Sequence, residues 1–290
     1  MRIAHLTDIH FQQDPSFGEL LHIKRLMGST NLYLLGRKSK FGLEVQRKSI
    51  AKIVEMKPDL VLLTGDLTAQ ALDGEFDLAR RELDPILSQF PTVVIAGNHD
   101  TYITPFPPKM REVFTPWLAK DGVDLLEFGD VGVLTIESCR PTLLSSGYVE
   151  PSRLQKASKL LQNTEASFIF FCMHYPLLNR RGELYGPATR ALSNGTEVLE
   201  WLKGETKISA YLHGHEHHGY QTEIQIKNGT IPSINPGVSG YNIDLNSKRF
   251  PHVACYTVED GSLTDIERWQ LMDLNTGYTL EQRPAFSSRL

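Results

Sequence analysis

Aspartate, histidine and asparagine recur along this chain in five short motifs. They are Asp8-Ile9-His10, Gly65-Asp66, Gly97-Asn98-His99-Asp100, a lone His174, and Gly214-His215-Glu216-His217. Carboxylate, imidazole and amide oxygen are the ligand types that divalent cations of hard or borderline character take, and no cysteine joins them. Each motif begins where an apolar run stops. An open α/β sheet presents its working residues at such strand ends.

Taken one at a time, the motifs leave alternatives open. Asp8 and His10 are two apart, and on a strand such positions share a face, so carboxylate and imidazole would converge; a plain polar turn is the other reading. Gly65 lets the chain turn and Asp66 offers two oxygens that can bridge two cations, although Gly-Asp is also a common loop pair. Asn98 supplies a carbonyl oxygen. His99 can then face a substrate, with Asp100 near enough to orient it or hold it charged. His174 ends the apolar run Phe168–Met173, where a lone histidine is more often a satisfied core residue, and Cys172 reads as a small buried hydrophobe. In extended backbone His215 and His217 would stand roughly 6–7 Å apart. That spacing can bracket a metal pair separated by about 3.5–4 Å; His213 and His218 flank the pair as accessory residues. Order and spacing decide between the readings. Three motifs follow three successive strands and two follow two later ones, which is one site sooner than five coincidences.

The elements that must position these residues are legible from periodicity. Arg2–Thr7, Asp59–Thr64 and Thr92–Ala96 read as strands, the last two as apolar runs buried on both faces. Glu44–Met56 reads as an amphipathic helix stopped near Lys57-Pro58, and Gly74–Gln89 as a second helix kinked at Pro85. This order makes parallel βαβ units. The second half is richer in strands: Val123–Phe128, Val131–Ile136, Ser167–Met173, Lys207–Leu212, Gln221–Ile226, Thr230–Ile234, Val253–Val258 and Ser262–Trp269. Helices are expected at Pro151–Gln162 and Ala188–Leu202, and hairpin turns at Gly129-Asp130 and Asn228-Gly229. The fold class is α/β, one domain with two sheets and helices outside.

Composition narrows the partners. At 290 residues the chain can bury a large core. A net charge of -4 disfavours nucleic acid as the main partner. Cys139, Cys172 and Cys255 show no paired spacing, which fits a reducing, cytoplasmic compartment. Met1–Leu6 has no signal-peptide character, and no apolar stretch is long enough to span a membrane.

The motif set resembles the calcineurin-like metallophosphoesterase superfamily, whose pattern is D-x-H, G-D, G-N-H-[DE], H, G-H-x-H. The match runs from Asp8 to His217 with every position filled. The resemblance implies a four-layer α/β/β/α sandwich with two mixed β-sheets over 1–270. It implies one metal held by Asp8, His10, Asp66 and His217, and another held by Asp66, Asn98, His174 and His215. His99, with Asp100 beside it, would assist the leaving oxygen. Two divalent transition-metal ions are expected, Mn2+ first, with Fe or Zn2+ as alternatives. Such a pair activates a water for in-line attack on phosphorus.

Asp66 is followed by Leu67-Thr68-Ala69-Gln70, without the Asp-Arg-Gly of the protein phosphatases. The chain therefore resembles the phosphodiesterase-type branch, which includes bacterial cyclic-nucleotide phosphodiesterases and distant relatives that cleave the pyrophosphate of UDP-diacylglucosamine. A small phosphorylated substrate, amphiphilic in one version, is the expected partner. A nuclease and a non-catalytic scaffold are the competing readings. The stretch 11–43, rich in Gly and with the basic run Arg37-Lys38-Ser39-Lys40, is either a helical hairpin packed on the core or a cap over the metal site that touches an amphiphilic or nucleotide substrate; peripheral contact with the inner membrane face is a further expectation. Arg180 and Arg181, shortly after His174, either grip a second phosphate or are solvated. The tail 271–290 reads as an extended strap or disordered.

Overall fold

Alternation along the strands sorts apolar residues into separate cores, and the cores define the layers. In the computed structural model, which describes residues 1–16, 18–19, 25, 38–104, 107–142 and 144–281, strands β1 (Arg2–Leu6), β2 (Leu60–Leu63) and β3 (Thr92–Val94) lie parallel. Every residue of β2 is buried, as its Leu-Val-Leu-Leu sequence requires. A second sheet contains β4 (Val123–Phe128), β5 (Val131–Ile136), β6 (Phe168–Cys172), β7 (Ala210–Leu212), β8 (Tyr220–Ile226) and β9 (Gly229–Asn235). The first sheet is completed by β10 (His252–Glu259), β11 (Ser262–Asp273) and β12 (Gly277–Leu280).

The first sheet runs β12-β11-β10-β1-β2-β3, and the second β4-β5-β6-β7-β9-β8. Both are mixed. β10 joins β1 antiparallel in the first, and β4 and β8 are antiparallel edges on the parallel block β5-β6-β7-β9 in the second.

Ile3, Leu60, Leu62 and Val93 from the first sheet pack with Val133, Phe168, Phe170 and Leu212 from the second to form the middle core. The alternate residues face outward. Ala4, Leu6, Val61 and Leu63 meet helices α1 (Leu43–Met56), α2 (Asp73–Glu82), α3 (Asp84–Leu87) and α4 (Pro108–Phe114). Leu134, Ile169, Phe171 and Tyr211 meet α5 (Pro151–Asn163) and α6 (Gly195–Gly204). The result is the expected α/β/β/α stack of four layers. α1 shows why such helices form where they do. Its buried Val45, Ile50, Ile53 and Met56 repeat at helical spacing, and Lys57 ends it in a left-handed conformation with its N–H on Val54 O.

Three expectations need correction. The helix expected from Ala188 begins only at Gly195. Residues before it give their backbone groups to the neighbouring segment instead: Ser145 N–H to Thr189 O, Gly147 N–H to Ala191 O, and Ser193 N–H to Gly147 O. The helix expected over Gly74–Gln89 is two helices that meet at Leu83, with Pro85 early in the second. The tail is no strap as far as it is described. β12 pairs antiparallel with β11, and Glu281 then binds Arg268 and His252, so the first sheet extends past the boundary drawn at 270. Residues 282–290 and most of 11–43 lie outside the described residues. Among the described residues no helix is long and apolar enough to cross a membrane.

Candidate metal centre

The five motifs meet at one end of the sandwich. The turns that carry them are stitched to each other by backbone hydrogen bonds: Asp8 N–H to Gly65 O at 3.0 Å, His10 N–H to Asp66 O at 3.0 Å, and Gly214 N–H to His174 O at 3.0 Å. Gln46 of α1, fully buried, donates to the carbonyls of Ile9 and His10 at 2.7 and 3.0 Å and fixes the first turn from behind. Gly65 and Gly97 allow the second and third turns to touch. A Cβ on Gly65 would stand 2.7 Å from Gly97 Cα, and one on Gly97 would overlap the amide nitrogen of Asp66.

Asp8, His10, Asp66 and His217 form one group whose ligand atoms lie within 4.8 Å of one another, and Asp66, His174 and His215 form another. Asn98 completes the second: its Oδ1 is 3.2 Å from His174 Nε2 and 2.8 Å from His215 Nδ1. Asp66 belongs to both, with Oδ1 3.5 Å from His174 Nε2 and Oδ2 3.7 Å from His10 Nε2.

The donor set fits cations. Asp8 Oδ2 accepts Thr7 Oγ1–H and His215 N–H, whereas its Oδ1, buried and without a hydrogen-bond partner, faces His217 Nε2 at 3.4 Å. His10 Nε2 and His217 Nε2 approach to 3.3 Å, a juxtaposition of ring nitrogens that a shared cation relieves.

Three rings are aimed by carbonyls of one loop. Nδ1–H of His174 donates to Thr64 O at 2.8 Å, that of His10 to Thr68 O at 3.1 Å, and that of His99 to Ala69 O at 2.6 Å. Fixing Nδ1 as the donor leaves Nε2 as the inward-facing nitrogen. Asp100 acts on this loop and not on the His99 imidazole. Its carboxylate accepts the N–H groups of Leu67, Thr68 and Gly97 and the Thr68 hydroxyl. The expectation that it orients the His99 ring is thus corrected: Ala69 O orients that ring, and Asp100 holds the loop.

Burial works against charge here, and the neighbours overrule it unevenly. Burial would raise the Asp66 carboxyl, but His174, His99 and His10 hold it well below the usual carboxylate range. Burial would lower His174, yet Asp66 raises it to about 9; the charge that draws a proton there would equally hold a cation. Asp100, desolvated and near Asp66, is pushed up to about 6. His215 is driven well below its ordinary value by burial, by His174 and also by Arg190.

The route by which the ligands converge differs from the expected one. β1 ends at Leu6, and Asp8, His10, Asp66 and His215 all have positive φ, 54°, 52°, 54° and 68°. Side-chain alternation on a strand does not place them. Left-handed turns do, at a cost on the order of 1–3 kcal/mol each that the surrounding fold must offset. Several contributors went unread in the sequence. Phe41 stacks edge-on against His10 and His217 with centroids 4.5 and 5.8 Å away, and Tyr241 backs it at 5.4 Å. Asn235 donates to the carbonyls of Gly214 and Glu216 at 2.8 and 2.9 Å. It ends β9, parallel to β7, so the rule that found the other motifs points to it as well.

Arg180 and Arg181 are exposed and line a cavity of about 250 Å3 beside Glu216. Arg180 comes within 3.8 Å of the Glu216 carboxylate.

A family model for calcineurin-like phosphoesterases matches residues 1–219. The chain belongs to the calcineurin-like phosphoesterase family. It is a hydrolase of phosphoric esters. This phosphoesterase is 23% identical over 235 residues to a "probable cyclic nucleotide phosphodiesterase" of Pseudoalteromonas sp. (strain SM9913), covering 78% of this chain and 74% of the relative. A protein of the same printed name from Vesicomyosocius okutanii is 25% identical over 241 residues, 82% and 93% of the two chains. Among solved structures, a dimetal phosphatase from Danio rerio superposes with a TM-score of 0.58 at 11% identity, over 93% of the phosphoesterase and 95% of that chain. Purple acid phosphatase PPD1 from yellow lupin gives 0.57 at 13%, over 95% of the phosphoesterase and 52% of that chain, so the phosphoesterase spans about half of that longer protein. At these identities the likeness speaks for the fold alone.

Proposed function

We propose that the protein is a binuclear metal-dependent hydrolase of phosphodiester or phosphoanhydride bonds in small phosphorylated substrates. The observation that carries this reading is Asp66, whose two carboxylate oxygens reach two separate ligand groups. Asp8, His10, Asp66 and His217 would hold one cation, and Asp66, Asn98, His174 and His215 the other. Two divalent ions bound there, Mn2+ first and Fe or Zn2+ next, would neutralise phosphoryl charge and supply a water activated near neutral pH. His99 assists the departing oxygen; with Nδ1 given to Ala69 O, any proton transfer runs through Nε2. Asp100 keeps the loop behind His99 in place. Arg180 and Arg181 contact the part of the substrate remote from the scissile bond. The names of the relatives favour a cyclic nucleotide or a similar diester as substrate. The reading also places the protein in the cytoplasm, where its buried free thiols at Cys139, Cys172 and Cys255 would persist. Contact with an amphiphilic substrate or a membrane face would fall to the 11–43 segment.

Metal analysis and turnover of bis-p-nitrophenyl phosphate test the proposal together. Two ions per chain and Mn2+-stimulated turnover are expected. Asp66→Asn should lose both ions and at least about 10²-fold in activity, since a shared ligand is weakened for both. Full activity with no more than one ion at saturation would sink the two-metal assignment.

A further inference from the structure

Glu216 stands between two histidines of the metal centre, yet its carboxylate belongs to neither ligand group. The left-handed turn at His215 precedes it, and its side chain points to the rim. Oε2 accepts the Tyr185 hydroxyl at 2.9 Å, while Arg180 stays 3.8 Å from Oε1, beyond hydrogen-bond reach. A carboxylate offers about four acceptor positions. Tyr185 fills one, and the carboxylate borders the cavity of about 250 Å3 that Arg180, Arg181, Tyr185 and Tyr220 also line. The Arg180 side chain is 53% exposed, so water screens its charge and it neutralises Glu216 only weakly.

Charge around this cavity is balanced: Arg180 and Arg181 stand against Glu183 and Glu216. A second phosphate would meet the Glu216 carboxylate at short range. A neutral group rich in O–H donors would instead meet an acceptor with lone pairs to give. The volume is below the roughly 300–1,000 Å3 of pockets that enclose a whole ligand, so it suits one part of a larger molecule. Tyr185 joins this pocket to the candidate metal centre, for its ring lies 6.1 Å from that of His215 while its hydroxyl holds Glu216.

We propose that Glu216, presented by Tyr185, is a specificity-determining residue that binds sugar hydroxyls of the substrate, the ribose of a nucleotide being the simplest case. This rests on the phosphoesterase reading above, with the scissile phosphate at the metals and the sugar in the cavity.

Adenosine 5′-monophosphate and 2′-deoxyadenosine 5′-monophosphate, used as competitors of bis-p-nitrophenyl phosphate, read the pocket as a ratio of inhibition constants. The ribonucleotide should bind about tenfold more tightly to the unaltered enzyme, the scale of one hydrogen bond to a charged acceptor. In Glu216→Ala the ratio should fall to about one, and Glu216→Gln, which keeps one acceptor oxygen, should fall between. A residue that only supports the fold would weaken both nucleotides equally and leave the ratio where it was. No preference in the unaltered enzyme, or the same preference in Glu216→Ala, overturns the proposal. Calorimetric titration with the same two nucleotides gives the ratio without turnover. An inactive chain that still prefers the ribonucleotide would therefore refute the hydrolase reading alone, and an active chain without the preference would refute the sugar pocket alone.

Discussion

His99 and Asp100 are adjacent in sequence and do different things. Asp100 is wholly buried, and its carboxylate is saturated by backbone N–H groups. His99 is 8% exposed, stacks on Tyr102 and stands edge-on to His10 with ring centroids 4.8 Å apart. It completes neither ligand group. Replacing it with alanine should therefore leave two ions bound and the melting temperature nearly unchanged, while kcat falls by roughly 10²–10⁴. The fall should shrink for esters with good leaving groups, which need little proton transfer. Loss of metal in the His99→Ala protein would move this residue from catalysis to structure. At this scale the sequence pointed to residues that the structure brings together, because side-chain chemistry is written in it directly. It did not reveal Asp100's partners, which are backbone amides and leave no trace in residue type.

Among the elements, the strands carry the site and the turns shape it. Apolar runs ended where Asp8, Asp66, Asn98, His174 and His215 begin, and a run's end is readable from composition alone. The left-handed geometry of Asp8, His10, Asp66 and His215 was not readable, since those residue types adopt it only when neighbouring turns lock it in. The segment 188–194 was misread for a related reason: its helix-compatible residues find backbone partners on a distant loop. The contact between the Gly65 and Gly97 turns gives a sharp test. Gly97→Ala puts a methyl on the Asp66 amide and should lose metal binding and several degrees of melting temperature. Gly204→Ala, at the end of α6 with open space around it, should be neutral or raise stability by up to about 1 kcal/mol. Thermal melts of the two with and without Mn2+ would decide; equal effects would show that close packing of the turns does not hold the ligands.

Over the whole molecule, the two sheets enclose ionisable groups as well as hydrocarbon. His5 lies on the inner face of β1, bonded to Tyr256 at 2.9 Å and Thr64 at 2.7 Å. Burial, with His213 nearby, lowers its pKa to about 3. The unfolded chain takes up a proton near pH 6.5, whereas the folded chain refuses it until about pH 3. His5's contribution to stability is thus fully present above pH 6.5 and is lost as pH falls towards 3, by about 1.4 kcal/mol per pH unit. His213, lowered to about 3 mainly by burial, adds a similar slope. Urea unfolding between pH 7.5 and 5 should show this loss, and His5→Gln should flatten it. An unchanged slope in that variant would mean that His5 titrates alike in both states. Two sheets with helices outside were legible from strand order and apolar runs, and the resemblance implied their four-layer order. The pairing of β12 was not, because its sequence has no buried face to announce it.

β1 lies between β2 and β10, with Arg2 opposite Thr257 and His5 opposite Ala254. A strand near one end of the sequence thus waits for one near the other. On the ribosome, β1 and the Asp8 turn emerge long before the partner that closes their open edge. Contacts of such high sequence separation form slowly, because a long loop must close first. Nascent chains halted before β10 should consequently be cut readily by protease and bind no Mn2+, and protection should appear only once β11 has cleared the exit tunnel. Stable, metal-loaded intermediates that stop short of β10 would contradict this. On the two-metal reading, ions would then be retained only by chains in which β1 has met β10.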